Sequence, residues 1–139
     1  MTSELKVGLV GEVTHRVTAE DTAARWGSGL VEAYSTPALV VLIEKAAVNA
    51  LEKCLSSTLS SVGVEVNLKH LAATPMGMQV KARAELVAID GRRLTFNINA
   101  WDVKEKICEG TLLQVLVEKD RFFDRLIKKA GRRMHKSVS

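Results

Sequence analysis

Cysteine is nearly absent: the 139 residues hold two, Cys54 and Cys108, far apart and in no CxxC pair. Small secreted scaffolds rely on several disulfides, so this spacing excludes that class, and both thiols are expected to be reduced. Histidine is scarce as well. His15, His70 and His135 have no second His, Cys or carboxylate at the spacing of a zinc motif such as HExxH, so no metal site is expected. With two prolines, nine glycines and no low-complexity stretch, collagen-like and disordered chains are excluded. The longest apolar run, residues 37–43, is far short of the roughly 20 residues that span a bilayer, so no membrane contact is expected. Residues 1–11 include Glu4 and Lys6 and show no secretory signal, which makes a cytoplasmic location the default expectation. Aromatic residues are only 4% of the chain, and no nucleic-acid reader motif is visible, so no nucleic-acid partner is expected.

What the chain does have is 47% hydrophobic residues, enough for a core, at a length typical of one folding unit. A single domain over residues 1–139 is expected. The net charge of +4 is unevenly placed: residues 119–139 carry eight Lys/Arg against two Asp, whereas residues 1–118 carry 12 basic and 14 acidic side chains. The body is mildly acidic and the C-terminal segment is basic.

Patterning predicts an α+β chain. Residues 12–19 alternate as a first strand, and residues 21–34, with Gly27-Ser28-Gly29, read as a loop able to act as a lid. Thr36 as N-cap and Pro37 at the first helical position start a long helix over residues 37–55. Its first two turns are apolar all round, and Lys45, Asn49, Glu52 and Lys53 give it one wet face. Strands are predicted at residues 61–72, 78–89, 92–103 and 106–118, with a hairpin turn at Asp90-Gly91. Val62, Val64, Val66 and Leu68 mark one face of the first of these strands. The simplest architecture is a curved antiparallel sheet wrapped around the one long helix. Phe122, Phe123, Leu126, Ile127 and Ala130 at helical spacing predict an amphipathic helix within the basic segment 119–139.

Three residues are out of place. Glu44 projects from a helical stripe of Val40, Val41, Ala47, Val48 and Leu51, where a charge needs a partner, a route to solvent or a chemical task. His70 falls on the same strand face as Val62 to Leu68 and so points at the helix; its plain reading is a hydrogen-bonded residue at a strand end. A carboxylate and an imidazole on two elements that pack together also suit acid–base or nucleophilic chemistry. Thr36 sits at a helix N-terminus, which favours developing negative charge, or it is simply a cap. Eight residues separate Thr36 from Glu44, about 12 Å along a helix, so a shared site within one subunit is difficult and a composite site between two subunits is not.

These spacings resemble the fluoroacetyl-CoA thioesterase-like branch of the hot-dog thioesterases over nearly the whole chain. The resemblance is carried by Ala33-Tyr34-Ser35-Thr36-Pro37 leading to Glu44, by His70 within His70-Leu71-Ala72-Ala73-Thr74-Pro75-Met76-Gly77, and by Ala84-Glu85-Leu86 followed by Gly91-Arg92-Arg93-Leu94. It implies a hot-dog fold, a homodimer or a tetramer of two dimers with active sites between subunits, and hydrolysis of a small or medium acyl-CoA thioester. Coenzyme A is then part of the substrate, and no separate cofactor is implied. The resemblance further implies that Thr36, Glu44 and His70 form the catalytic set and that the backbone N–H of Gly63 lies beside the acyl carbonyl. Glu44 would attack or activate water, His70 would shuttle the proton, and Thr36 would orient Glu44 or the oxyanion. At the lid this chain reads Arg25-Trp26-Gly27-Ser28-Gly29-Leu30, where the fluoroacetyl-specific member carries a phenylalanine, so selectivity for fluoroacetyl is not implied. Trp26 and Tyr34 are candidates for the acyl pocket, and Arg92, Arg93 and the C-terminal Lys/Arg cluster for the phosphates of coenzyme A. The competing expectation is a non-catalytic acyl-CoA or acyl-ligand binding module on the same fold.

Overall fold

The computed structural model describes residues 4–27 and 29–131. Five strands form one antiparallel sheet: β1 (Val10–Arg16), β2 (Leu59–His70), β3 (Gln79–Asp90), β4 (Arg93–Asp102) and β5 (Lys106–Glu118), in the order β1-β3-β4-β5-β2. Period-two patterning drives it. Val80, Ala82, Ala84 and Leu86 of β3 and Leu94, Phe96, Ile98 and Ala100 of β4 are all buried. The turn expected at Asp90-Gly91 joins these two strands, with Gly91 at a φ of 61°.

The long helix, α2 (Thr36–Glu52), lies on the inner face of the sheet over β1 and β3. It buries Leu39, Leu42, Ile43, Ala46, Ala47, Ala50 and Leu51, and each large apolar side chain removed from water contributes about 2 kcal/mol. Helix and strand touch closely at Gly11, where any Cβ would run into the backbone of Ala46 and Ala50. The expected wet face is present, since Lys45, Glu52 and Lys53 are exposed. The expectation that the first two turns are enclosed holds only in part: Val41 is 42% exposed.

Three further expectations need correction. Strand β1 ends at Arg16 rather than residue 19, because Asp21 Oδ2 accepts from both the amide and the hydroxyl of Thr18 and curls residues 19–21 into a 3-10 turn. The loop that follows contains a one-turn helix, α1 (Ala23–Trp26), closed by Gly27 at a φ of 74°. Most consequentially, Val62, Val64, Val66 and Leu68 do not share a face. A bulge between Gly63 and Glu65 shifts the register of β2 on β5, so that Gly63 pairs with Gln114 whereas Val66, Leu68 and His70 pair with Leu112, Gly110 and Cys108. Since Gln114, Leu112 and Cys108 all face the core, odd-numbered Gly63 and even-numbered His70 both look toward the helix.

After β5 the chain continues as α3 (Lys119–Lys129), with Ile127 buried, Leu126 half exposed and Ala130 at its end. Arg132 and Arg133 of the expected basic segment lie outside the described residues. Among those described, no helix is long and apolar enough to cross a membrane, no group of His, Cys, Asp and Glu is arranged to hold a metal, and Cys54 and Cys108 are free.

Candidate active site

The helix start differs from the expected one by a single residue. Ser35, extended at φ −81° and ψ 152°, is the N-cap, and its hydroxyl accepts the amide of Ala38 at 3.1 Å. Thr36 is therefore the first helical residue rather than the cap, and its hydroxyl is released for another partner. That partner is His70: Thr36 Oγ1 lies 2.8 Å from His70 Nδ1. The tight entry into the helix is secured from two sides. Tyr34 donates its amide to Thr74 O and Ser35 its amide to Asp21 O, both at 2.8 Å. Thr74, fully buried, donates its hydroxyl to Asp102 Oδ2 at 2.9 Å, which anchors the segment after His70 to the sheet.

His70 is half-buried at the end of β2, and burial lowers its proton affinity below that of a free histidine, so the neutral imidazole is favoured. Its second nitrogen, Nε2, is buried with no hydrogen-bond partner among the described residues. Thr36 and His70 open onto a cleft of about 520 Å3 bordered by Val31, Ala33, Leu71 and Ala72.

Glu44 occupies a second cleft. Its Oε2 rests in the space that a side chain at position 63 would fill, so Gly63 is what admits the carboxylate. This cleft, of about 490 Å3, is bordered by Val41, Glu44, Val48, Gly63 and Gln114. Gln114 was not a sequence-based candidate, although it carried the same kind of signal as His70: a polar residue alternating with Leu112 and Leu116 on the inward face of a strand. Within one chain, then, the structure joins Thr36 to His70 and Glu44 to Gly63, but in separate clefts.

The remaining candidates lie around these two. Tyr34 is 3% exposed, its hydroxyl donates to Ala38 O at 3.3 Å, and burial pushes its phenol well above the usual value. Trp26 is half exposed, donates its indole N–H to Glu20 O, and borders a cavity of about 100 Å3 together with Tyr34, His15, Asp21 and Lys45. Only Tyr34 also borders the His70 cleft. Arg92 and Arg93 are exposed beside the β3–β4 turn and border neither cleft. Cys108 pairs with His70 across the sheet, but burial, with Glu109 beside it, pushes its thiol up to about 11, so it remains protonated at neutral pH.

A helix laid against a five-stranded antiparallel sheet is the architecture of the hot-dog thioesterases, which are thioester hydrolases. The chain belongs to the fluoroacetyl-CoA-specific thioesterase family, whose model matches residues 17–120. It is 34% identical over 91 residues to the fluoroacetyl-CoA thioesterase of Streptantibioticus cattleyicolor, a stretch covering 66% of each protein. A solved structure of a fluoroacetyl-CoA thioesterase superposes with a TM-score of 0.86 at 27% identity, covering 91% of this chain and 98% of that one. A hot-dog-like protein from Thermanaerovibrio acidaminovorans superposes with a TM-score of 0.84 at 26% identity, covering 93% of this chain and 96% of its own.

Proposed function

We propose that the protein hydrolyses a small or medium acyl-CoA thioester in a site completed between two copies of the chain, Thr36 and His70 coming from one and Glu44 and Gly63 from the other. The observation that carries this reading is the Thr36–His70 hydrogen bond, which leaves a neutral imidazole with one buried, unpartnered nitrogen at a cleft. About 12 Å of helix separates Thr36 from Glu44, which makes it difficult for one subunit to present both to one carbonyl carbon. A second copy removes the difficulty. Strand β2 is an unpaired sheet edge, and Val64 and Val66 on it, with Val41 and Val48 on the helix, are apolar and 40% or more exposed. Such a face is a natural place for another sheet edge and helix to pack.

The chemistry follows from these groups. Glu44 delivers the attacking oxygen, its own or that of a water it deprotonates, to the thioester carbonyl carbon. The Gly63 amide and the Thr36 hydroxyl face the oxygen that becomes negative, and the start of α2 adds the positive end of its dipole. His70, with Nδ1–H donated to Thr36 Oγ1, presents a lone pair on Nε2: where Glu44 deprotonates the water, that proton is relayed through Nε2 to the sulfur as the C–S bond breaks. Where Glu44 attacks with its own oxygen, the thiolate leaves and an acyl–glutamyl anhydride forms, which a water deprotonated by Nε2 then cleaves to the free acid and the Glu44 carboxylate, the proton passing to the thiolate. The products are a carboxylic acid and the free thiol of coenzyme A. Of the expected lid, Leu30 is 97% exposed and Trp26 half exposed, and neither borders either cleft. The pantetheine arm carries the phosphates away from the thioester, so Arg92 and Arg93 serve as their candidates from outside the clefts.

Thiol release across short, branched, aromatic and long acyl-CoA substrates tests this. Turnover that falls by a factor of about 1000 or more in Glu44→Ala and in His70→Ala, with melting temperatures preserved, is the expected result. Saturable binding without thiol release would favour a binding module instead.

A further inference from the structure

Gln114 is 2% exposed and lies on the inward face of β5 between Leu112 and Leu116, beside Leu94 on β4. A buried amide among apolar side chains is unfavourable unless its donors and acceptor are all satisfied, and Gln114 Oε1 has no hydrogen-bond partner among the described residues. Its register explains where the other end points. Gln114 pairs directly with Gly63, and the point where a Cβ of residue 63 would sit is 3.3 Å from Gln114 Nε2 and in contact with Glu44 Oε2. Amide nitrogen and carboxylate oxygen thus both border the space of one methyl group, a space that glycine leaves empty. Both border the same cleft.

We propose that Gln114 is a positioning residue whose side-chain amide holds the Glu44 carboxylate in its attacking orientation. This rests on the reading of Glu44 as the group that delivers the attacking oxygen. A donor fixed on a rigid central part of the sheet restricts a carboxylate on a flexible stem, and orientation of the reacting oxygen bears on kcat rather than on substrate binding. The unpartnered Oε1 fits the same role, since a residue kept for chemistry need not be the most stabilising choice at its position.

The test uses Gln114→Met, which keeps the length and removes the amide, together with Gln114→Leu. Expected are melting temperatures at or above that of the unaltered protein, a fall in kcat of about tenfold to a hundredfold, and KM within about threefold. In a Glu44→Gln background, Gln114→Met should produce no further loss, because the residue it supports is already disabled. A folded Gln114→Met or Gln114→Leu protein with unchanged kcat, while Glu44→Gln is inactive, would overturn the positioning role and leave the function intact. An independent, multiplicative loss in the double variant would overturn it as well. Undiminished turnover by Glu44→Gln would instead remove the reading on which it rests.

Discussion

Replacing Gly63 with alanine places a methyl group on Glu44 Oε2 and next to Gln114, so the carboxylate has to leave its position. The strand itself tolerates alanine, and the expected result is a loss of kcat/KM of about a hundredfold with the melting temperature little changed. Steady-state kinetics and thermal melts on Gly63→Ala check this; unimpaired turnover would mean that Glu44 does not act from where it stands. At this scale the sequence was partly legible. Glu44 and His70 declared themselves as titratable groups on apolar faces. The partner of Thr36 did not, because Ser35 and Thr36 can both serve as caps, and only the backbone geometry decides that Ser35 takes the Ala38 amide and Thr36 takes His70. Gln114 was overlooked because an uncharged polar residue in an apolar strand stands out less than a charged one.

Among the elements, the segment between β1 and α2 depends on Asp21. One of its oxygens receives the Thr18 amide, the Thr18 hydroxyl and His15 Nε2 at 2.7 to 3.0 Å, and its backbone carbonyl receives the Ser35 amide at the start of α2. Burial alone would raise the Asp21 carboxyl, but these hydrogen bonds, with the nearby His15, outweigh it and hold the group below its usual value of 3.8. A carboxyl depressed in the folded state binds fewer protons there than in the unfolded state. Its stabilisation is therefore complete above about 3.8 and is lost as pH falls below it. Asp21→Asn should abolish this part of the acid destabilisation and speed amide exchange at Ser35 and Ala23. Acid-range melts and hydrogen exchange measure both effects; unchanged exchange at these amides would show that Asp21 does not secure the segment. Strands β3, β4 and β5 and helix α2 were legible because each spans ten or more residues and shows its pattern along them. The bulge at Gly63 and Glu65 was not, because the run Val62, Val64, Val66, Leu68 alternates smoothly and nothing in it marks the change of face. Only pairing with β5 reveals it, and that change of face lets Gly63 and His70 serve the same side of the sheet.

For the whole molecule, the fold follows from the amphipathic strands and the single apolar helix, and family membership is shown by the family model over residues 17–120, a family that the spacing of Thr36, Glu44 and His70 resembles. The residues proposed to act together nevertheless border two clefts of one chain, and the proposed function unites them through a second copy. Mixing separately purified Glu44→Ala and His70→Ala proteins under conditions of subunit exchange tests this most directly. A site shared between subunits gives each mixed dimer one intact set, with Thr36 and His70 from one chain and Glu44 from the other. Two inactive preparations should then recover about a quarter of the unaltered thiol release at equal proportions. No recovery, with mixed dimers demonstrated by mass, would contradict a composite site and return all three residues to a single subunit.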